Sequence, residues 1–377
     1  MKNILILHGS NDLYGASKVL LNIADCLNEK GCQVHVILPF HGNLDNKLIN
    51  KVHKLSHYNL GVFRKKYLNF FGLFNRFYKI IKSTIHIFNY IKKNEIDLVY
   101  TNTSVIWSGV LASCFSKRKS LVHIHEIPYG SNMYNFISGI FFKQFADSII
   151  VVSKKVRDHW ENYVNLEKIK VVYNYSKFFE NDDSKKTNKK QSEFIISNIS
   201  RIVPQKGIEY LIEISKELIK FDKKFKINII GDNLLGSENY LHFLKAKVEK
   251  NNLKKNVFFR GFKNDIKSVI LESDLILQTP VKPDSLPTVI IDSLSLNRPV
   301  VSTDTGGCSE ILNKGENGIL IPLNDPKSSA KLIYEYSNKL NLQREHLENA
   351  RLFLKQNFNP VEFNKRILNE LSRVYNG

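Results

Sequence analysis

Cysteine is scarce in this sequence: 377 residues hold four, Cys26, Cys32, Cys114 and Cys308, without metal-ligand spacing or a disulfide framework. That pattern suits a reducing cytoplasm. Long apolar runs are missing too. No stretch approaches the roughly 18 apolar residues that span a bilayer, so any membrane contact is expected to be peripheral. The opening MKNILILHGS is too short an apolar run for a signal peptide and reads as a first strand. Acidic residues are outnumbered, 36 Asp and Glu against 55 Lys and Arg, which leaves a net charge of +19. The excess admits anionic partners such as phosphates or acidic membranes. A composition crowded with Lys, Asn and Ile, as an AT-rich genome produces, accounts for it equally well as a solvated face. No nucleic-acid-binding motif accompanies the charge, so no nucleic-acid partner is expected.

What the sequence has in abundance is alternation. Apolar runs of four to seven residues recur between longer amphipathic segments, the mark of parallel sheets covered by helices on both faces. The fold class is therefore α/β. Length favours two domains. Six strands are expected in the first half, ILILH, QVHVILP, DLVYTN, LVHIH, SIIVVS and KVVYN, and six in the second, FIISNIS, KINIIG, NVFFRG, LILQTP, PVVSTD and GILIP. Between them FENDDSKKTNKKQSEF is polar and without period. We therefore expect domains over 1–180 and 193–358, a linker over 181–192, and a helix over 359–377 that can pack back on the first domain. Two doubly wound domains put ligands at the carboxyl ends of their strands, with a cleft between the domains as the expected substrate site.

The stretch SDLILQTPVKPDSLPTVIIDSLSLNRPVVSTDTGG, 273–307, sets Asp284 and Asp292 seven intervening residues apart across an expected helix start. Ser285 is a candidate cap and Pro287 a first-turn residue. The free backbone N–H groups over Leu286 to Val289, Pro287 itself having none, would mark the positive end of the helix, which favours a phosphate. Asp292, some two turns in, would project back toward that end. Acids are poor phosphate ligands and good acceptors for hydroxyls, so a phosphate that bears a sugar fits better than phosphate alone. The segment SNISRIVPQKGIEYLIEI adds Arg201 and Lys206 on the loop after the second domain's first strand. A bidentate guanidinium and a reaching ammonium suit a diphosphate leaving group. Taken singly, each of these residues also reads as an ordinary helix-end acid or a surface charge.

In this order and spacing the residues resemble the retaining glycosyltransferases of the GT-B architecture, family 4, over nearly the whole chain. That family carries Glu, seven residues and Glu at a helix start, then Gly-Gly-x-x-Glu. Here Asp284 and Asp292 are followed by Gly306, Gly307 and Glu310, and Arg201, Lys206 and Gly207 match its Arg-x4-Lys-Gly loop. The resemblance implies Asp292 as ribose ligand, Asp284 as contact to the donor sugar, and Arg201 and Lys206 as neutralisers of the departing diphosphate. Ser285, Leu286, Pro287, Thr288, Val289 and Gly231 are further donor-binding candidates. Both acids are Asp where the family has Glu, each shorter by one methylene, on the order of 1.5 Å. In the first domain LHGSNDLYGASKVLLNIADCL holds a loop with Gly9, Tyr14, Gly15 and Ala16, similar to the family's Gly-rich loop near diphosphate and acceptor. VHIHEIP resembles its His segment, with His125 matching the imidazole near the transferred sugar. KVVYNYSKF matches the family's Val-x-Pro-Asn-Gly-Val pattern only loosely, with Tyr173 and Tyr175 for Pro and Gly.

No Asp-x-Asp metal motif stands at a strand end. Glu272, Ser273 and Asp274 precede a strand and so lie at the wrong edge. We expect no metal and no cofactor, the donor being a substrate. Segment 63–93 sets apolar residues at 67, 70, 71, 74, 77, 78, 81, 85 and 88, with Arg64, Lys65, Lys66, Arg76, Lys79, Lys82, Lys92 and Lys93 around them. Such a helix can lie on an anionic bilayer or pack on the first sheet. The expectation is a cytoplasmic, metal-independent hexosyltransferase that moves a sugar with retention to a glycan or lipid-linked acceptor in cell-surface polysaccharide assembly. The alternative is a catalytically silent GT-B partner protein. An epimerase or a glycogen-type synthase shares the architecture.

Overall fold

The computed structural model describes residues 1–64, 67–128, 130, 132–179, 193–222, 224–233 and 238–377. The chain forms two units, Met1–Asn174 with Val361–Gly377, and Tyr175–Pro360. The division thus falls ahead of the expected boundary at 180, and the linker expected over 181–192 lies outside the described residues.

Unit 1 runs β1 (Asn3–Leu7), α1 (Gly15–Glu29), β2 (Gln33–Leu38), α2 (Asp45–Leu48), β3 (Lys54–His57), α3 (Phe70–Lys93), β4 (Leu98–Thr101) and α4 (Trp107–Phe115). It continues with β5 (Lys119–Ile124), α5 (Asn132–Phe145), β6 (Ser148–Val151), α6 (Lys154–Trp160) and β7 (Ile169–Val171). Its sheet is parallel, in the order β3-β2-β1-β4-β5-β6-β7. Ile4 to Leu7 are fully buried, as befits a strand covered on both faces. Strand β3 was not foreseen. Its KLSH has no apolar run, and its pairing with β2 at the sheet edge holds it.

Unit 2 runs β8 (Phe194–Ile199), α7 (Ile208–Phe221), β9 (Phe225–Ile230), α8 (Glu238–Lys250), β10 (Val257–Gly261), α9 (Ile266–Glu272) and β11 (Leu275–Gln278). Then come α10 (Thr288–Ser295), β12 (Val300–Thr303), α11 (Gly307–Ile311), β13 (Ile319–Ile321), α12 (Pro326–Asn338) and α13 (Leu340–Asn357). The sheet is again parallel, ordered β10-β9-β8-β11-β12-β13. Ile196, Ile227, Leu275 and Val301 join Ile208, Leu211 and Leu218 of α7 in its core. Asp274 stands at the amino end of β11, where its carboxylate accepts the Ile195 N–H at 2.8 Å.

The last helix, α14 (Pro360–Asn376), buries Phe363, Ile367, Leu371 and Val374, one side at helical spacing. Its buried Glu370 accepts from Ser148 at the start of β6 and pairs with Arg373. The chain thus returns to unit 1 after completing unit 2.

Helix α3 buries a smaller face than the stripe the sequence displays. Ile80, Ser83, Thr84, Ile87 and Ile91 turn inward, and Ile87 and Ile91 join Leu5, Leu7, Ile37 and Val99 in the core. Most of the apolar stripe read from the sequence points out and does not pack on the sheet. Phe70, Phe71, Phe74, Phe77, Tyr78, Ile81 and Ile85 are all exposed, Phe71 at 83%. Lys65 and Lys66 lie outside the described residues. Among the described residues, no helix is long and apolar enough to cross a membrane.

Candidate active site

In unit 2 the strand order reverses between β8 and β11, and the loops leaving these neighbours carry the expected donor residues. Beyond β8 the chain first follows the exit of β9: the Ile202 N–H donates to Asp232 O at 2.9 Å. Gly231 permits that approach. Its φ is +138°, and a Cβ there would lie 1.8 Å from Ser200 O. Arg201 stands exposed at the start of this loop. The loop closes at Gly207, whose φ of +66° and missing Cβ, 1.8 Å from Thr279 O, let it lie against the β11 loop. Val281 N–H donates to Gln205 O at 3.0 Å and Thr279 Oγ1 donates to Gly207 O at 3.1 Å. The two loops are thus joined through backbone, and Lys206 Nζ meets the carboxylate of Asp284. These side chains are 24% and 17% exposed.

Gly306 and Gly307, after β12, press on the other flank of the same loop. Gly307 N–H donates to Asp284 O at 2.7 Å, and a Cβ on either glycine would fall 2.2 to 2.4 Å from a carbonyl oxygen of Asp284 or Ser285. The Gly-Gly pair seats the Asp284 loop. This contact also corrects the helix start. Residues 283–286 lie against Gly306 and Gly307, so α10 begins only at Thr288, and Pro287, with φ of −72°, is its N-cap in place of Ser285. Ser285 and Leu286 therefore belong to the loop. The first-turn donors are Thr288, Val289 and Ile290, the last turned back onto Pro287 O at 3.0 Å. Asp292 is the fifth helical residue, one turn in where two were expected, and is 8% exposed. Its Oδ1 accepts the hydroxyl of Ser176 at 2.6 Å. Ser176 is a partner that sequence reasoning missed, because an isolated loop serine carries no signal.

In unit 1 the reversal lies between β1 and β4, and a buried polar chain crosses it. Asn102, after β4, donates its amide N–H groups to His8 Nδ1 and Ala16 O, each at 3.1 Å. Its Oδ1 is left to accept from His125 Nε2 at 2.7 Å, so His125 carries its proton on Nε2 and presents Nδ1 as an acceptor. His8 Nε2 reaches Ser17 Oγ at 3.0 Å, and Ser17 donates to Asp12 Oδ1 at 3.0 Å. Burial pushes His8 down to about 4, despite Asp12 nearby. Burial, then the imidazoles of His123 and His8, hold His125 well below the ordinary histidine value. His125 is therefore a neutral hydrogen-bonding group at pH 7. Glu126 fixes the loop that bears it, accepting from Ser104 N–H and Oγ, Thr103 Oγ1 and His125 N–H at 2.6 to 3.0 Å. His8 and Asn102 were not foreseen, since each sits at the end of an expected strand and reads as part of it. Tyr14 is the N-cap of α1, its N–H bonded to Asp12 Oδ1 at 3.0 Å. A Cβ on Gly15 would meet nothing within 4 Å, and one on Gly9 would make ordinary contact with Thr103 at 3.4 Å, so packing demands neither glycine.

Two parallel-sheet α/β units, with polar residues gathered at the carboxyl ends of their central strands, define a nucleotide-binding class of architecture. Residues 14–175 match the model of glycosyltransferase family 4, and residues 179–353 that of glycosyl transferases group 1. The chain belongs to this glycosyltransferase family, of GT-B fold. It is 27% identical over 291 residues to the glycosyltransferase MJ1069 of Methanocaldococcus jannaschii, covering 71% of this chain and 72% of that one. It is 25% identical over 270 residues to the Escherichia coli UDP-Gal:alpha-D-GlcNAc-diphosphoundecaprenol alpha-1,3-galactosyltransferase, over 66% and 68% of the two chains. Among solved structures, Anabaena HepE in complex with UDP and glucose shares the fold, with a TM-score of 0.84 at 23% identity over 99% of this chain and 100% of that one.

Proposed function

We propose that this chain moves a hexose-type sugar from a nucleotide diphosphate to a hydroxyl of a glycan or lipid-linked acceptor, with retention at the anomeric carbon, in bacterial cell-surface polysaccharide assembly. One observation carries the reading: Lys206 and Asp284, from neighbouring strand exits, are paired beside the start of α10. Without ligand the two charges neutralise each other. A diphosphate offers Lys206 a stronger partner and releases Asp284 to accept from sugar hydroxyls. Lys206, Arg201 and the first-turn N–H groups of Thr288 and Val289 then offset the charge that grows on the leaving diphosphate, so no metal ion is required. Asp292 takes a ribose hydroxyl and shares its carboxylate with Ser176. In unit 1 the proposed roles are a neutral His125 that hydrogen-bonds the transferred sugar and a loop from Gly9 through Tyr14, Gly15 and Ala16 for diphosphate and acceptor. The departing phosphate accepts the acceptor's proton.

Titration calorimetry with UDP-, GDP- and ADP-sugars tests this, and the relatives named for or crystallised with uridine nucleotides put UDP-sugars first. Binding of one donor, followed by its hydrolysis or transfer, is expected. Absence of nucleotide binding would favour the silent-partner reading.

The outward face of α3 supports a second part of the proposal, peripheral contact with an anionic bilayer on the inner side of the plasma membrane. Five aromatic rings within about two and a half turns, Phe70, Phe71, Phe74, Phe77 and Tyr78, are 61% to 83% exposed, and Met133, Phe136 and Ile140 of α5 are also exposed. Arg64, Lys79 and Lys82 flank the α3 residues in sequence. Aromatics bury into the headgroup boundary and lysines meet anionic lipid.

A further inference from the structure

We propose that unit 1 holds a site for a divalent transition-metal ion of the zinc class, with His41, Asp45 and His57 as its three protein ligands. This is independent of the transferase reading, and no step of the transfer passes through it. His41 Nδ1 lies 3.3 Å from Asp45 Oδ2 and His57 Nε2 lies 2.9 Å from Asp45 Oδ1. The three ligand atoms all lie within 4.8 Å of one another, and the imidazole centroids are 3.7 Å apart. In a tetrahedral zinc shell with bonds of about 2.0 to 2.2 Å, neighbouring ligand atoms stand roughly 3.3 to 3.5 Å apart. Imidazole centroids on such an ion stand roughly 5 Å apart, so the two rings must swing apart from 3.7 Å, which the 81% exposed side chain of His41 allows. Two imidazoles and one carboxylate select zinc, cobalt or nickel over magnesium and calcium, which require oxygen shells.

The carboxylate is already oriented. Asp45 Oδ1 accepts Asn11 Nδ2 at 2.7 Å and Oδ2 accepts Gly42 N–H at 3.1 Å. A carboxylate has about four acceptor positions, so a metal that replaces the two imidazole contacts leaves both amide bonds in place behind the ligand. Asn11 is itself fixed, donating to Phe40 O at 2.7 Å and accepting from Leu44 N–H at 2.8 Å. Gly42 is required for that fit, since a Cβ would lie 2.5 Å from Asn11 O. The side chain of His41 is 81% exposed, which gives the ion an entry path and the solvent a fourth coordination position.

The test uses the full chain, stripped with chelator and titrated with Zn2+, Co2+ and Mg2+ by calorimetry, with the visible cobalt spectrum as a second readout. One equivalent of Zn2+ or Co2+ is expected to bind, the cobalt complex showing tetrahedral-type absorption, while Mg2+ gives no heat. His41→Ala is expected to weaken zinc binding by about tenfold or more. The His41→Ala, His57→Gln double variant is expected to abolish it, with the thermal midpoint of the metal-free His41→Ala protein unchanged. Zinc binding of equal strength in the double variant, or no stoichiometric binding to the native chain, would overturn the proposal.

Discussion

Lys206 gains a charged partner in Asp284 without any ligand, so removing either residue should have a different consequence. If Lys206 offsets the charge of the leaving group as proposed, Lys206→Ala should lower turnover on the order of a hundredfold with folding intact. Asp284→Asn frees Lys206 from its competitor. Nucleotide diphosphate should then bind at least as tightly while sugar transfer declines, a split that steady-state kinetics and calorimetry read separately. Gly207→Ala should be destabilising by about 2 kcal/mol or more in chemical unfolding, because a left-handed residue would meet Thr279 O at 1.8 Å. His8 supplies a pH dependence. Its native value near 4 lies below the ordinary 6.5, so the unfolded chain binds the extra proton between them. Stability should therefore fall as pH drops from about 6.5 to about 4 and change little from this group below that. The urea midpoint should show this slope, and His8→Gln should remove only this histidine's share of it, since buried His35, His123 and His125 contribute with the same sign. Gly207, Gly306 and Gly307 were legible with the Lys206 loop through the motif they share with the family, and close backbone approach is the physical reason no other residue fits there, whereas Gly9 and Gly15 have no such constraint. Ser176 and Asn102 were not, because their partners lie far along the chain; the His41, Asp45, His57 cluster was not, because only the loop fold between β2 and β3 turns these nearby residues toward one another.

At the scale of elements, α10 shows why the caps misled. A serine before Leu-Pro reads as a helix start, yet contact of residues 283–286 with Gly306 and Gly307 delays the helix to Thr288. Tertiary packing overrode the local signal. Helix α3 was legible only in part. Its sequence contains two apolar faces, and the bulkier aromatic one was left open between a bilayer and the sheet, whereas smaller Ser83, Thr84 and Ile87 are the ones that fit against the sheet and α4. Hydrophobicity alone ranks the aromatics first; close packing chose otherwise. If the outward face meets lipid, the Phe71→Glu, Phe74→Glu double variant should lose flotation with anionic liposomes at low salt and keep its donor affinity. Equal flotation of variant and native chain would remove the membrane part of the proposal.

At the scale of the whole molecule, the two parallel sheets were legible because their strands, buried on both faces, are written as nearly continuous apolar runs such as ILIL and LVHI. The unit boundary was less so. Residues 175–179 look like a continuation of the first half, but Ser176 bonds Asp292 and ties them to unit 2. The return of α14 rests on a single amphipathic side whose partner no local pattern identifies. What joins the scales is electrostatic: one ammonium, delivered by a loop that two glycines allow, paired with Asp284 and proposed to take a diphosphate. The most direct measurement is a calorimetric titration of native and Lys206→Ala protein with the UDP-sugar that the native chain binds. A loss of affinity of about tenfold or more in the variant, shrinking as salt is raised, is the predicted result. Unchanged affinity, or no UDP-, GDP- or ADP-sugar bound by the native chain, would contradict it.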